Sequence, residues 1–128
     1  MRLLLDTSAL AYWVLDAAQL GLLARQVIAD ADNEVWVSAV SAFEIATKHR
    51  SGKWDDIAGF LKSFEQEVAI NRFNALPIST AHALLAGMMP GEHRDPFDRL
   101  LAAQAELEGM RLVSHDKKFA EFGVEVIW

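Results

Sequence analysis

The opening run Met1-Arg2-Leu3-Leu4-Leu5-Asp6 constrains this chain more than any other stretch. Three leucines ahead of an acid read as a short buried strand that carries a carboxylate to its carboxyl end, the edge where open α/β sheets keep their sites. Four more short, β-branched or leucine-rich runs follow at 34–38, 75–78, 111–114 and 124–128. Helical patterns lie between them. Trp54, Ile57, Phe60, Leu61, Phe64 and Val68 fall on one helical face, as do Phe97, Leu100, Leu101, Gln104 and Leu107. Gly52 and Gly109 stand where helices should stop, and Ser41, Ser79 and Asp95 where they should start. Strands separated by helices imply right-handed crossovers, so we expect an α/β fold with a mostly parallel five-stranded sheet covered on both faces, forming one domain over 1–128.

Composition limits the chemistry. A chain of 128 residues can bury a core without disulfides, and it has no cysteine, which excludes a thiolate zinc site and a thiol nucleophile. That usage is compatible with a reducing cytoplasm. Hydrophobic residues make up 52%, which calls for a dense core or an apolar face for a partner. Arg2 and the apolar residues after it imitate a signal sequence, but Asp6 interrupts the run and Asp16 ends it. No stretch reaches the roughly 18 uncharged residues of a membrane span, so a soluble protein is expected.

Glu44, Asp95, Asp98 and Asp116 each follow a strand-like run or open a helix, so the edge that receives Asp6 would receive them too. Each acid also has a purely structural use. Asp6-Thr7-Ser8 can cap a helix, and Ser41-Ala42-Phe43-Glu44 has the pattern of a capping box. Asp95-Pro96-Phe97-Asp98 offers Asp at the N-cap, Pro in the first turn and an acid favoured by the helix dipole; Asp116 can cap a turn at Lys117-Lys118-Phe119. Together, however, acids on one small edge repel: two carboxylates about 4 Å apart cost roughly 4 kcal/mol at an effective dielectric near 20. A cation or a shared proton must offset that.

Oxygen donors without cysteine or a paired-histidine motif favour a hard ion, Mg²⁺ or Mn²⁺. Such a site suits hydrolysis of a phosphodiester, with a metal-activated water attacking in line. The net charge of −6 opposes phosphate binding in general. Without those five acids the chain is nearly neutral, and bound cations would invert the local sign, so nucleic acid is not excluded.

The segments LLLDTSA, SAVSAFEIATKHRSGK, HRDPFDRLLAAQA and LVSHDKKFAEFGVEVIW, in this order and spacing, resemble the PIN domain, and more narrowly the VapC toxins of type II toxin–antitoxin pairs. The resemblance spans essentially the whole chain. It implies a three-layer α/β/α fold of strand order 3-2-1-4-5 and an endoribonuclease dependent on one or two Mg²⁺ or Mn²⁺ ions. Asp6, Glu44, Asp98 and Asp116 match the four family acids, and so are the expected catalytic and metal-binding residues. Asp95 matches the extra acid of the DPFDR variant and is expected to cap the helix and orient the site, with direct ligation as the alternative. The resemblance further implies a VapB-type antitoxin whose tail covers the acids, and a homodimer within a toxin–antitoxin hetero-oligomer.

Around the acids, Thr7 and Ser8 can hold water or a phosphate oxygen, or simply cap a helix. Lys48 shares a helical face with Glu44, as an i,i+4 pair or as a phosphate contact. Basic residues gather at Lys48, Arg50 and Lys53, at Arg94 and Arg99, and at Lys117 and Lys118. Lys48, Arg94, Arg99 and His115 are candidate RNA contacts, with a solvated face as the alternative. His49, His82, His93 and His115 show no zinc spacing. Trp13, Trp54, Phe60 and Phe64 belong in the core or along a groove for an amphipathic partner segment. Nothing reads DNA or RNA bases by a known motif, so operator binding would fall to the antitoxin. A rival reading is a Mg²⁺-binding phospho-acceptor or nucleotide-binding regulatory domain, since receiver-like α/β proteins gather acids at the same edge.

Overall fold

The computed structural model describes residues 1–92 and 94–128; His93, counted above among the histidines, lies outside them. Five strands, β1 (Arg2–Leu5), β2 (Glu34–Ser38), β3 (Asn74–Leu76), β4 (Arg111–Val113) and β5 (Val126–Ile127), form one sheet of order β3-β2-β1-β4-β5. Every neighbouring pair is parallel. The leucine run occupies the centre because it is apolar on both faces: Leu3, Leu4 and Leu5 are all fully buried. Side chains alternate across a strand. Leu3 and Leu5 therefore pack into one core, with α1 (Thr7–Val14), α2 (Leu22–Ala29), α3 (Ala39–Arg50), α4 (Ala58–Lys62) and α5 (Phe64–Ile70). Leu4 packs into the other, with α6 (Thr80–Met88) and α7 (Pro96–Glu108). The expected three-layer arrangement and strand order are those observed.

Several local expectations need correction. The strand expected at 75–78 is Asn74–Leu76, because its partner β2 turns into α3 after Ser38, opposite Leu76, and Pro77 has no N–H to donate. β5 is confined to Val126–Ile127, since the chain at Val124 is still turning, its N–H bonded to Phe119 O. The single helical face read from Trp54 to Val68 is divided into a 3₁₀ turn, Asp55–Ile57, then α4 and α5. At the break the Ser63 hydroxyl donates to Gly59 O at 3.3 Å, the kind of back-bond that competes with helix continuation. Phe60 and Phe64 still meet across it, ring centroids 4.8 Å apart.

Helix α3 starts at Ser38, whose Oγ accepts from Val40 N–H at 3.0 Å, and not at Ser41. The capping box expected at Ser41 and Glu44 therefore does not form, and both residues are free for other contacts. Ser79 and Asp95 are N-caps as expected. Gly109 closes α7 at φ +64°, a left-handed conformation that a side chain would strain. Leu107, placed on the apolar face by periodicity, is 49% exposed near the helix end. No helix among the described residues is long and apolar enough to cross a membrane.

Candidate active site

Asp6 sits where β1 ends and α1 begins. Its backbone N–H donates to Val113 O at 3.0 Å, tying it to β4, and its Oδ1 accepts from Ala9 N–H at 2.7 Å. The residue is buried, 7% exposed. Burial pushes its pKa from 3.8 up to about 6, with nearby Asp98 adding to the rise; the Ser114 hydroxyl, the Ala9 N–H and His115 act in the opposite direction. Thr7, next along, is buried, and its Oγ1 lies 3.2 Å from Ser41 Oγ on α3. That contact fixes α1 against the helix that carries Glu44, one turn beyond Ser41.

Glu44 is 7% exposed, and its Oε2 lies 2.8 Å from Lys48 Nζ. The ammonium also stands over the Trp54 ring, 5.5 Å from its centroid. Asp95 caps α7 with one oxygen, Oδ1 accepting from Phe97 N–H at 2.9 Å and Asp98 N–H at 3.3 Å. Asp116 accepts from Lys118 N–H at 2.9 Å through Oδ1 and caps the 3₁₀ helix Lys117–Phe122. Its own N–H donates to Ser114 Oγ at 3.0 Å.

Capping and site formation are thus compatible uses of the same acids. Asp6, Asp95 and Asp116 each cap with Oδ1, which aims the carboxyl group. One cleft of about 220 Å³ is lined by Asp6, Thr7, Ser8, Glu44, Lys48, Asp95, Asp98, His115 and Asp116. Five carboxylates and one ammonium share it.

Two expected RNA contacts lie elsewhere. Arg94 and Arg99 line a separate hollow with Gly87 and Met89. Arg99 donates from Nε to Ala86 O at 2.8 Å, also binds Met89 O, and stands 5.5 Å from the Phe122 ring, so it serves the end of α6. Of the aromatic residues weighed for a partner groove, Phe60 is buried and Trp13 is packed against Phe73 and bonded to Asn71. Phe64 lines an apolar hollow, about 540 Å³, with Val37, Ala42, Val68 and Pro77. Sequence reasoning missed Ser114, whose hydroxyl links Asp6 to Asp116. Its position at the end of β4, directly before His115 and Asp116, was the available signal.

The potential donors around the cleft are hard carboxylate and hydroxyl oxygens, apart from the His115 imidazole. Among the described residues no group of three or more His, Cys, Asp or Glu is placed to hold a metal ion by itself. That arrangement fits Mg²⁺ or Mn²⁺ held with part of its water shell, because Mg²⁺ keeps several waters and takes one or two carboxylates directly. The raised pKa of Asp6 has the same setting: burial disfavours its charge more than the Ser114, Ala9 and His115 contacts favour it.

Comparison with known proteins agrees with this geometry. The PIN domain model matches residues 3–125. Ribonuclease VapC22 of Mycobacterium tuberculosis (strain ATCC 25618 / H37Rv) is 32% identical over 118 residues, 90% of this chain and 87% of that protein. VapBC2 from Rickettsia felis, solved bound to a DNA fragment from its promoter, superposes with a TM-score of 0.70 at 15% identity, covering 99% of this chain and 98% of that one. FitAcB from Neisseria gonorrhoeae gives 0.69 at 19% identity, covering 98% and 96%. At those identities the two structures speak for the fold alone. Sequence match, strand order and fold agree over nearly the whole chain, which belongs to the PIN-domain family and is of the VapC type.

Proposed function

We propose that this chain is a divalent-metal-dependent endoribonuclease and the toxin of a VapBC-type toxin–antitoxin pair. The observation that carries the reading is the buried Asp6, held in one cleft with four further acids and a single ammonium. Asp6, Glu44, Asp98 and Asp116 are the proposed metal-holding residues. Asp95, whose Oδ1 is occupied by two backbone N–H groups, orients the first turn of α7 and with it Asp98. A bound Mg²⁺ or Mn²⁺ would supply Lewis acidity toward a phosphoryl oxygen and lower the pKa of a water in the cleft.

The chain's own groups do the positioning. Ser114 and Ala9 hold Asp6 in one orientation, and Thr7 and Ser41 keep α1 and α3 in register so that Asp6 and Glu44 face the same space. Thr7 and Ser8 offer hydroxyls for water or a phosphate oxygen. Lys48 is placed to meet phosphate once Glu44 turns to a cation. The phospho-acceptor alternative is weaker, because a buried Asp6 with one oxygen committed to Ala9 N–H is a poor acceptor of a bulky phosphoryl group.

The name of the 32% identical relative supports ribonuclease activity, and the VapBC neighbours support an antitoxin partner. We place the protein in the cytoplasm with its RNA substrate, as a homodimer within a toxin–antitoxin hetero-oligomer, with any operator contact made by the antitoxin.

The test is cleavage of structured RNAs by the purified chain with Mg²⁺, with Mn²⁺ and with chelator, alongside Asp98→Asn. Cleavage that requires metal and is lost in the variant is expected. Cleavage at full rate in chelator, or by Asp98→Asn, would sink the reading.

A further inference from the structure

His115 stands at the rim of the acid cleft and is exposed, yet its ring is held by aromatic packing. It lies against Trp128, ring centroids 5.0 Å apart at 54°. Trp128 is itself anchored: its ring meets Tyr12 edge-on at 6.3 Å and 65°. Its place depends on Gly21, where a Cβ would come within 2.7 Å of the indole. The backbone on either side of His115 is tied down as well. Ser114 N–H donates to Ile127 O at 3.0 Å, and Asp116 N–H donates to Ser114 Oγ at 3.0 Å. The imidazole is thus backed by an indole seated partly in the core. Lys117 and Lys118, both exposed, follow directly on the 3₁₀ helix.

We propose that His115, backed by Trp128, is a stacking platform for an unpaired nucleobase next to the phosphate that enters the acid cleft. The inference rests on the ribonuclease reading and names how that site would take its substrate. Three physical points favour it. A chain of net charge −6 gains little from general attraction to phosphate, so affinity has to come from local contacts. Stacking on an aromatic side chain suits any base, since each has a π-face, and bases inside a duplex cannot offer that face. The platform lines the same cleft as the acids, and two exposed lysines, Lys117 and Lys118, follow it directly in the chain. The structure therefore selects unpaired positions in RNA through His115.

The experiment uses the full chain in an Asp98→Asn background, which leaves the RNA uncut, with Mn²⁺ present. Affinity for a labelled, unstructured oligoribonucleotide of about ten nucleotides is measured by anisotropy for that background alone, with His115→Ala and with His115→Phe. His115→Ala should weaken binding roughly tenfold or more, and His115→Phe should stay within about threefold of the background, because a phenyl ring restores the stack. His115→Ala binding as tightly as the background, His115→Phe binding as poorly as His115→Ala, or no binding in any arm would overturn the proposal. Failure of the ribonuclease reading shows separately, as intact structured RNA after incubation of the wild-type chain with Mn²⁺.

Discussion

Two polar clusters hang on α3 and α7 and follow opposite rules. In one, Ser38 at the head of α3 donates to Gln104 Oε1 on α7 while accepting from Val40 N–H. Gln104 Nε2 reaches Pro77 O and His82 Nδ1, each at 3.3 Å, and Ser79 N–H donates to the same Nδ1 at 3.0 Å. An Nδ1 that accepts leaves the proton on Nε2, which points at Glu108 Oε1 at 2.9 Å. Ser38, Gln104 and His82 are buried, and each donor there meets an acceptor. The other cluster lies farther along α3, at Glu44, and nearer the start of α7, at Asp98. It sets five carboxylates against one ammonium and leaves Asp6 buried with a raised pKa. The first cluster is complete within the chain. The second leaves its charge unbalanced within the chain, and on the proposed function a cation from outside balances it; that difference would separate a fold-fixing polar core from a functional site.

If the comparison holds, the same kind of substitution should act oppositely in the two places. The largest effect is expected for Asp98→Asn, which should lower RNA cleavage by more than about a hundredfold, since loss of partners one step further from a metal already costs about 10- to 100-fold. Circular dichroism should show the fold retained. Gln104→Leu should do the reverse: it leaves the Ser38 hydroxyl and Pro77 O without their partner, and should destabilise the protein by roughly 2 to 4 kcal/mol in urea unfolding.

Asp6→Asn should stabilise the chelated protein at pH 7 by up to about 3 kcal/mol, the rise from 3.8 to about 6 converted at about 1.4 kcal/mol per unit, while keeping a competent N-cap. The sign follows from proton binding. Below pH 3.8 Asp6 is protonated whether folded or unfolded; between there and about 6 only the folded chain keeps the proton. Its contribution to stability is therefore fully present below the lower value and is lost as pH rises through about 6. Wild-type stability measured against pH in chelator should carry that downward term, and the Asp6→Asn curve should lack it. The smallest effect is expected for Lys48→Met, which leaves the buried Glu44 without its ammonium and should destabilise the chelated protein by roughly 1 to 2 kcal/mol.

What sequence made legible follows the same divide. The leucine run, the alternation of strands with helices and the acids at strand ends depend on periodicity and local order, and they located the central strand and the contents of the cleft. Contacts between distant segments were not legible. The Thr7 to Ser41 contact spans 34 residues and the Ser38 to Gln104 bond spans 66, so neither leaves a local signature. Ser41 looked like a cap because it stands three residues before Glu44; the true cap, Ser38, is set by where β2 loses its partner strand. Arg99 shares a helix turn with Asp98, yet the helix turns it toward the carbonyls of α6. Trp128 behind His115 belongs to the same class of long-range pairing.

Thermal unfolding of wild type and Asp6→Asn at pH 7, first in chelator and then in Mn²⁺, tests most directly whether the acid cleft is completed by a divalent cation. In chelator the variant should unfold at the higher temperature. Mn²⁺ at about a hundred times its Kd should then stabilise wild type by roughly 3 kcal/mol, a rise of several degrees, and move the variant far less. A variant less stable than wild type in chelator, or equal responses of the two proteins to Mn²⁺, would contradict the account.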